Sequence, residues 1–112
     1  NEIVGQVEGR DCLIVDDMID TGGTILAAAK ALKENGAARV IVAATHAVFS
    51  APASERLSDP VIDAVVVTNT LPITPDKEFQ TLHVLSIAPL IAKAIAAVFY
   101  DDSVNSLFPG HA

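Results

Sequence analysis

Cys12-Leu13-Ile14-Val15-Asp16-Asp17-Met18-Ile19-Asp20-Thr21-Gly22-Gly23-Thr24 is the stretch whose reading decides the fold. Four apolar residues end abruptly in two carboxylates, and an alanine-rich amphipathic run follows the second threonine. A short apolar run bounded by acids reads as a buried parallel strand. The run from Thr24 to Asn35 reads as a helix, which leaves Asp16–Gly23 as the strand-to-helix loop. Loops of this kind lie at the carboxyl edge of the sheet, where open α/β folds bind ligands. Adjacent glycines let backbone N–H groups approach an anion, and a helix N-terminus adds partial positive charge. Thr21 and Thr24 can donate hydroxyl hydrogen bonds to the same anion. Asp16 and Asp17 can accept hydrogen bonds from sugar hydroxyls or contact a hydrated Mg²⁺ through water. A phosphate cradle beside a diol or metal site suits a ribose 5-phosphate.

Alternating elements continue from there. Residues 2–8 are expected to form a short leading strand, and residues 11–16 the strand that feeds the acidic loop. Gly36 after Asn35 suits the end of the first helix. Arg39–Thr45 is a second apolar, β-branched run, and Pro52–Ser58 a short helix with its proline near the first turn. Strands are expected at Ile62–Val67 and Leu82–Ser86. A closing helix is expected over Pro89–Phe99, with Leu90, Ile91, Ala94, Ile95 and Val98 on its apolar face. Strands separated by helices imply a parallel sheet with right-handed crossovers.

Composition limits what such a domain can do. The chain has 112 residues, 51% of them hydrophobic but only 4% aromatic, so Ala, Val, Ile and Leu must build the core. One domain of this size buries roughly two-thirds of its unfolded surface. A net charge of −7 with seven scattered Lys and Arg argues against a nucleic-acid surface, which needs clustered cations. The apolar runs are too short to span a membrane. Cys12, the sole cysteine, cannot form an internal disulfide and suits a buried apolar role. No signal-peptide pattern opens the chain, and with Asn1 in first place the native amino terminus is expected upstream.

Apolar strand, Asp-Asp, Met-Ile-Asp-Thr-Gly-Gly-Thr resembles the phosphoribosyl pyrophosphate-binding loop of the type I phosphoribosyltransferase fold. Four further stretches are similar to the ribose-phosphate pyrophosphokinase family in order and spacing. They are Ala44-Thr45-His46-Ala47-Val48-Phe49-Ser50, Val67-Thr68-Asn69-Thr70-Leu71-Pro72, Val84–Ala92 and Ser103-Val104-Asn105-Ser106-Leu107-Phe108. Ala47 and Ala51 stand where the family commonly has glycine, and Asn105 where serine is common.

The resemblance implies an α/β parallel sheet flanked by helices, as part of a type I phosphoribosyltransferase-like domain. Residues 1–112 would be a carboxyl-terminal fragment of it, with the amino-terminal domain elsewhere. It implies an Mg²⁺-dependent transferase making phosphoribosyl pyrophosphate and AMP from ATP and ribose 5-phosphate. Asp16, Asp17, Asp20, Thr21, Gly22, Gly23 and Thr24 would bind ribose 5-phosphate. The catalytic Lys/Arg loop would lie upstream, so this chain alone would be inactive. Ser103, Asn105 and Ser106 would face a neighbouring protomer at a site for the regulators ADP and phosphate. Dimers assembling to a cytoplasmic homohexamer complete the expectation.

Two alternatives stay open, a nucleobase phosphoribosyltransferase and a non-catalytic regulatory subunit of the synthetase. Other readings compete at single sites. The Asp pair can be a generic magnesium ledge or simply solvated, and His46 can be catalytic or structural. Thr68-Asn69-Thr70 can cap, turn or touch substrate. His83 and His111 lack metal-ligand spacing.

Overall fold

A computed structural model describes residues 5–100. Four strands, β1 (Asp11–Ile19), β2 (Arg39–Ala47), β3 (Ala64–Thr68) and β4 (Leu82–Leu85), form one sheet in the order β1-β2-β3-β4. Every neighbouring pair is parallel. Helices α1 (Gly23–Glu34), α2 (Ala53–Leu57) and α3 (Ala88–Phe99) and a 3₁₀ turn at Pro75–Lys77 complete the described chain. The expected α/β class with a parallel sheet is thus present. The expected regulatory residues Ser103, Asn105 and Ser106 lie outside the described residues, as does His111.

β1 does not stop at its carboxylates. It pairs with β2 from Asp11↔Arg39 through Ile19↔Ala47, so Asp16 and Asp17 are strand residues and the connecting loop shrinks to Asp20–Gly22. β2 is long enough to offer partners to Met18 and Ile19, and Ile19 is buried in the core. Two acids do not terminate a strand when their side chains reach water, and both are exposed. The expected leading strand is absent over residues 5–8. Arg10 N–H there closes a turn onto Val7 O (3.0 Å), and Gly9 N–H donates to Gly36 O (2.8 Å). Ala47 in place of glycine is accommodated because its position is regular, fully buried strand.

α1 presents Ile25 and Ala29, one turn apart, to the sheet, with Leu26 and Leu32 half-buried beside them. It ends in a Schellman arrangement: Ala37 N–H returns to Leu32 O, Gly36 N–H to Lys33 O, and Gly36 takes φ 92°. Val40, Val42 and Ala44 of β2 and Val65 and Val67 of β3 meet Ala53 and Leu57 of α2 in the same cluster. Cys12 and Ile14 pack against it, which gives Cys12 the expected apolar surroundings.

The opposite side of the sheet differs from expectation. Leu13 and Val15 are 62% and 70% exposed, so β1 is buried on one face only. α3 differs likewise: Leu90, Ile91, Ile95 and Val98 are all exposed, and Ala97 alone of this helix is buried. Helical periodicity shows where an apolar stripe lies but not whether this chain covers it.

Candidate phosphate-binding site

The turn after β1 is built by two devices. Ile19 O accepts hydrogen bonds from both Val48 N–H (3.0 Å) and Phe49 N–H (3.1 Å), tying the end of β1 to the segment after β2. Gly22, at φ 78° and ψ 1°, then swings the chain into α1 and serves as its N-cap without any side-chain capping bond. The first intrahelical bond runs from Leu26 N–H to Gly22 O (2.9 Å). The N–H groups of Gly23, Thr24 and Ile25 precede it and have no intrahelical acceptor. Three donors therefore converge with the positive end of the helix dipole.

A concavity of about 150 Å³ opens there, lined by residues from Asp16 to Ile25, Asp17 excepted. Six of the seven expected ribose 5-phosphate residues therefore share one cavity: Asp16, Asp20, Thr21, Gly22, Gly23 and Thr24. Asp17 does not line it.

Both carboxylates are partly engaged. Asp16 Oδ1 accepts from Asp17 N–H (2.8 Å), and Asp17 Oδ1 accepts from Met18 N–H (2.9 Å). Hydrogen bonding with the Asp16 side chain, then with the Met18 amide, holds the Asp17 carboxyl below its usual range, with His46 charge adding a little. Among the described residues, no three His, Cys, Asp or Glu side chains gather as a metal cage.

His46 pairs in register with Met18, and its Nδ1 is hydrogen-bonded to Thr70 Oγ1 at 2.8 Å. Thr68 Oγ1 donates to Thr45 O (2.6 Å), as does Thr70 Oγ1 (3.2 Å). This cluster stitches the carboxyl ends of β2 and β3 together and does not line the cavity. Asn69 Oδ1 accepts from Ile87 N–H (2.8 Å) and its N–H donates to Leu85 O (3.0 Å), which fixes the approach to α3. The geometry thus gives Asn69 a structural task.

One neighbour of the loop carries no local sequence signal. Arg56 of α2 donates from Nη1 to Thr21 O at 3.1 Å, across 35 residues of chain. An isolated arginine in a five-residue helix can be linked to the loop only once the fold is known.

An open parallel α/β sheet with an uncapped, glycine-turned helix N-terminus at its carboxyl edge is the architecture of a type I phosphoribosyltransferase-like domain. Residues 1–109 match the family described as the phosphoribosyl synthetase-associated domain, and the chain belongs to that family. It is 55% identical over its whole length to the ribose-phosphate pyrophosphokinase of Mycobacterium leprae. It is 56% identical over 108 residues to that of Streptomyces coelicolor. A crystal structure of phosphoribosylpyrophosphate synthetase from Mycobacterium smegmatis superposes on 88% of the chain, with TM-score 0.82 and 58% identity. The chain spans about a third of these proteins: 34% of the first, 33% of the second and 33% of the third.

Proposed function

We propose that this chain is the ribose 5-phosphate-binding part of a ribose-phosphate pyrophosphokinase. The observation that carries the reading is the uncapped N-terminus of α1, opening with Asp20–Thr24 onto a cavity that Asp16 borders. The 5-phosphate sits against the Gly23, Thr24 and Ile25 amides and the threonine hydroxyls, while Asp16 accepts a hydrogen bond from a ribose hydroxyl. Held at both ends, the sugar offers its anomeric oxygen to ATP. That oxygen bonds to the β-phosphorus, the bond from the β-phosphorus to the α,β-bridging oxygen breaks, and AMP leaves. The anomeric proton goes to solvent or base. This chemistry draws mainly on positioning and charge neutralisation.

The cations for that neutralisation are not assembled here. Lys33 pairs with Asp63, Arg39 pairs with Asp11, and Lys77 Nζ donates to Val48 O. On this reading the basic catalytic loop comes from another part of the protein. Two exposed carboxylates, each with one oxygen already engaged, suit water-mediated contact with a hydrated Mg²⁺ and not a direct cage. When bound, that ion neutralises phosphate charge. ADP and phosphate as regulators, a homohexamer assembled from dimers and a cytoplasmic location complete the proposal. Its support is the similarity to the synthetases.

In the full-length protein, ATP and ribose 5-phosphate should yield AMP and phosphoribosyl pyrophosphate in equal amounts. With phosphoribosyl pyrophosphate and a nucleobase supplied instead, nucleobase-dependent pyrophosphate release would make it a base phosphoribosyltransferase. No turnover with either would leave the regulatory subunit.

A further inference from the structure

The Thr21–Gly23 turn borders the cavity and is also bonded to Arg56 of α2. Thr21, Gly22 and Gly23 line the cavity, whereas Arg56 does not. Arg56 Nη1 nonetheless bonds Thr21 O at 3.1 Å. The same nitrogen stands 3.2 Å, and Cζ 3.7 Å, from where a Cβ on Gly23 would lie. Arg56 is half-buried and forms no ion pair with any carboxylate among the described residues. Beneath it, Leu57 and Ala53 are fully buried and anchor α2, while Gly22 rests against the Leu57 side chain.

We infer that Arg56 is a positioning residue that holds the phosphate loop. The Thr21 carbonyl and the Gly22 N–H belong to one planar peptide unit, which is trans, the cis bond in this region being Ala51–Pro52. Fixing the carbonyl on the guanidinium turns the Gly22 N–H away from Arg56. The guanidinium also places a fixed positive charge beside amides that face an anion. A Cβ on Gly23 would press against the Arg56 guanidinium, which would have to give by a few tenths of an ångström while still bonded to Thr21 O. This inference rests on the phosphate reading of the loop and adds the residue that sets its orientation.

The test uses the full-length protein and steady-state kinetics with ribose 5-phosphate and ATP varied separately. R56A should raise KM for ribose 5-phosphate about tenfold to a hundredfold, with KM for ATP unchanged. R56K keeps one donor for the Thr21 carbonyl and should recover part of the loss. G23A should cost affinity in the parent and less in an R56A background, so the two changes should be non-additive. A parallel rise in both KM values, additive R56A and G23A effects, or R56K as poor as R56A would each overturn the inference. T24V separates the two levels. If T24V weakens ribose 5-phosphate binding while R56A does not, the phosphate site stands and Arg56 is not its support. If T24V has no effect either, the phosphate site itself is wrong, and the role of Arg56 falls with it.

Discussion

Gly22 combines a left-handed backbone, φ 78°, with burial against Leu57, and both bear on what can replace it. The built Cβ meets Leu57 Cγ at 3.5 Å, an ordinary contact, so space does not exclude alanine. Backbone strain does: Gly22→Ala should cost about 1–2 kcal/mol and weaken ribose 5-phosphate binding, as chemical denaturation and calorimetry would report. Asp63 offers a contrast far from the site. Its Oδ2 accepts from the fully buried Val40 N–H (2.7 Å), its own N–H donates back to Val40 O (2.8 Å), and Lys33 Nζ lies 3.2 Å away. Asp63→Ala leaves that amide without an acceptor and should cost about 1–3 kcal/mol; Asp63→Asn keeps an acceptor and should cost less.

The Asp63 carboxyl is held below its ordinary value, first by the Val40 amide and then by Lys33. A depressed folded pKa gives stability that is present above the unfolded value of about 3.9 and lost as pH falls through the folded one. Acid melts should therefore show less loss below about pH 4 in the Asp63→Asn variant than in the parent. At this scale the loop residues were legible, because Asp20–Thr24 combines glycine, threonine and position after an apolar run. Arg56 was not, because the relation that matters is a single hydrogen bond between residues 35 apart in sequence.

Elements were legible in type and less so at their ends. Apolar runs marked β2, β3 and β4 closely, but β1 runs three residues past the first of its acids, because pairing with β2 and burial of Ile19 outweigh the local charge. The segment joining β2 to α2 matters most for the site. Phe49 is fully buried, holds φ 51°, packs its ring 6.1 Å from that of Phe79, and bonds through its N–H to Ile19 O. A bulky residue in that conformation needs its surroundings to hold it. Phe49→Ala should cost about 3–5 kcal/mol, and in the full-length protein it should loosen the loop enough to raise KM for ribose 5-phosphate. Equal KM values for variant and parent would show that β1 and α1 hold the loop without it.

The described Cα atoms measure 50 × 36 × 20 Å with a radius of gyration of 16.5 Å, against about 13 Å expected for a compact chain of this length. The 20 Å dimension matches one sheet and one helical layer. Parallel sheets are ordinarily covered on both faces, whereas here Leu13, Val15 and Leu85 stand exposed, with the apolar face of α3 exposed as well. Hydrophobic patterning reports that these faces are apolar; what lies against them is not encoded in a chain that spans a third of its relatives. The isolated 112-residue chain should therefore enhance the fluorescence of a dye that binds apolar surface, and the full-length protein should do so far less per mole. It should also form no AMP from ATP and ribose 5-phosphate, since four of its seven cations are engaged at Asp63, Asp11, Val48 O and Thr21 O.

The most direct measurement is a crystal structure of the full-length protein with ribose 5-phosphate bound. The 5-phosphate should lie within hydrogen-bonding distance of the Gly23 and Thr24 amides, with a ribose hydroxyl on Asp16 and Arg56 still bonded to the Thr21 carbonyl. A ribose 5-phosphate whose phosphate is held elsewhere, with the Asp20–Thr24 turn empty, would contradict the account at its centre.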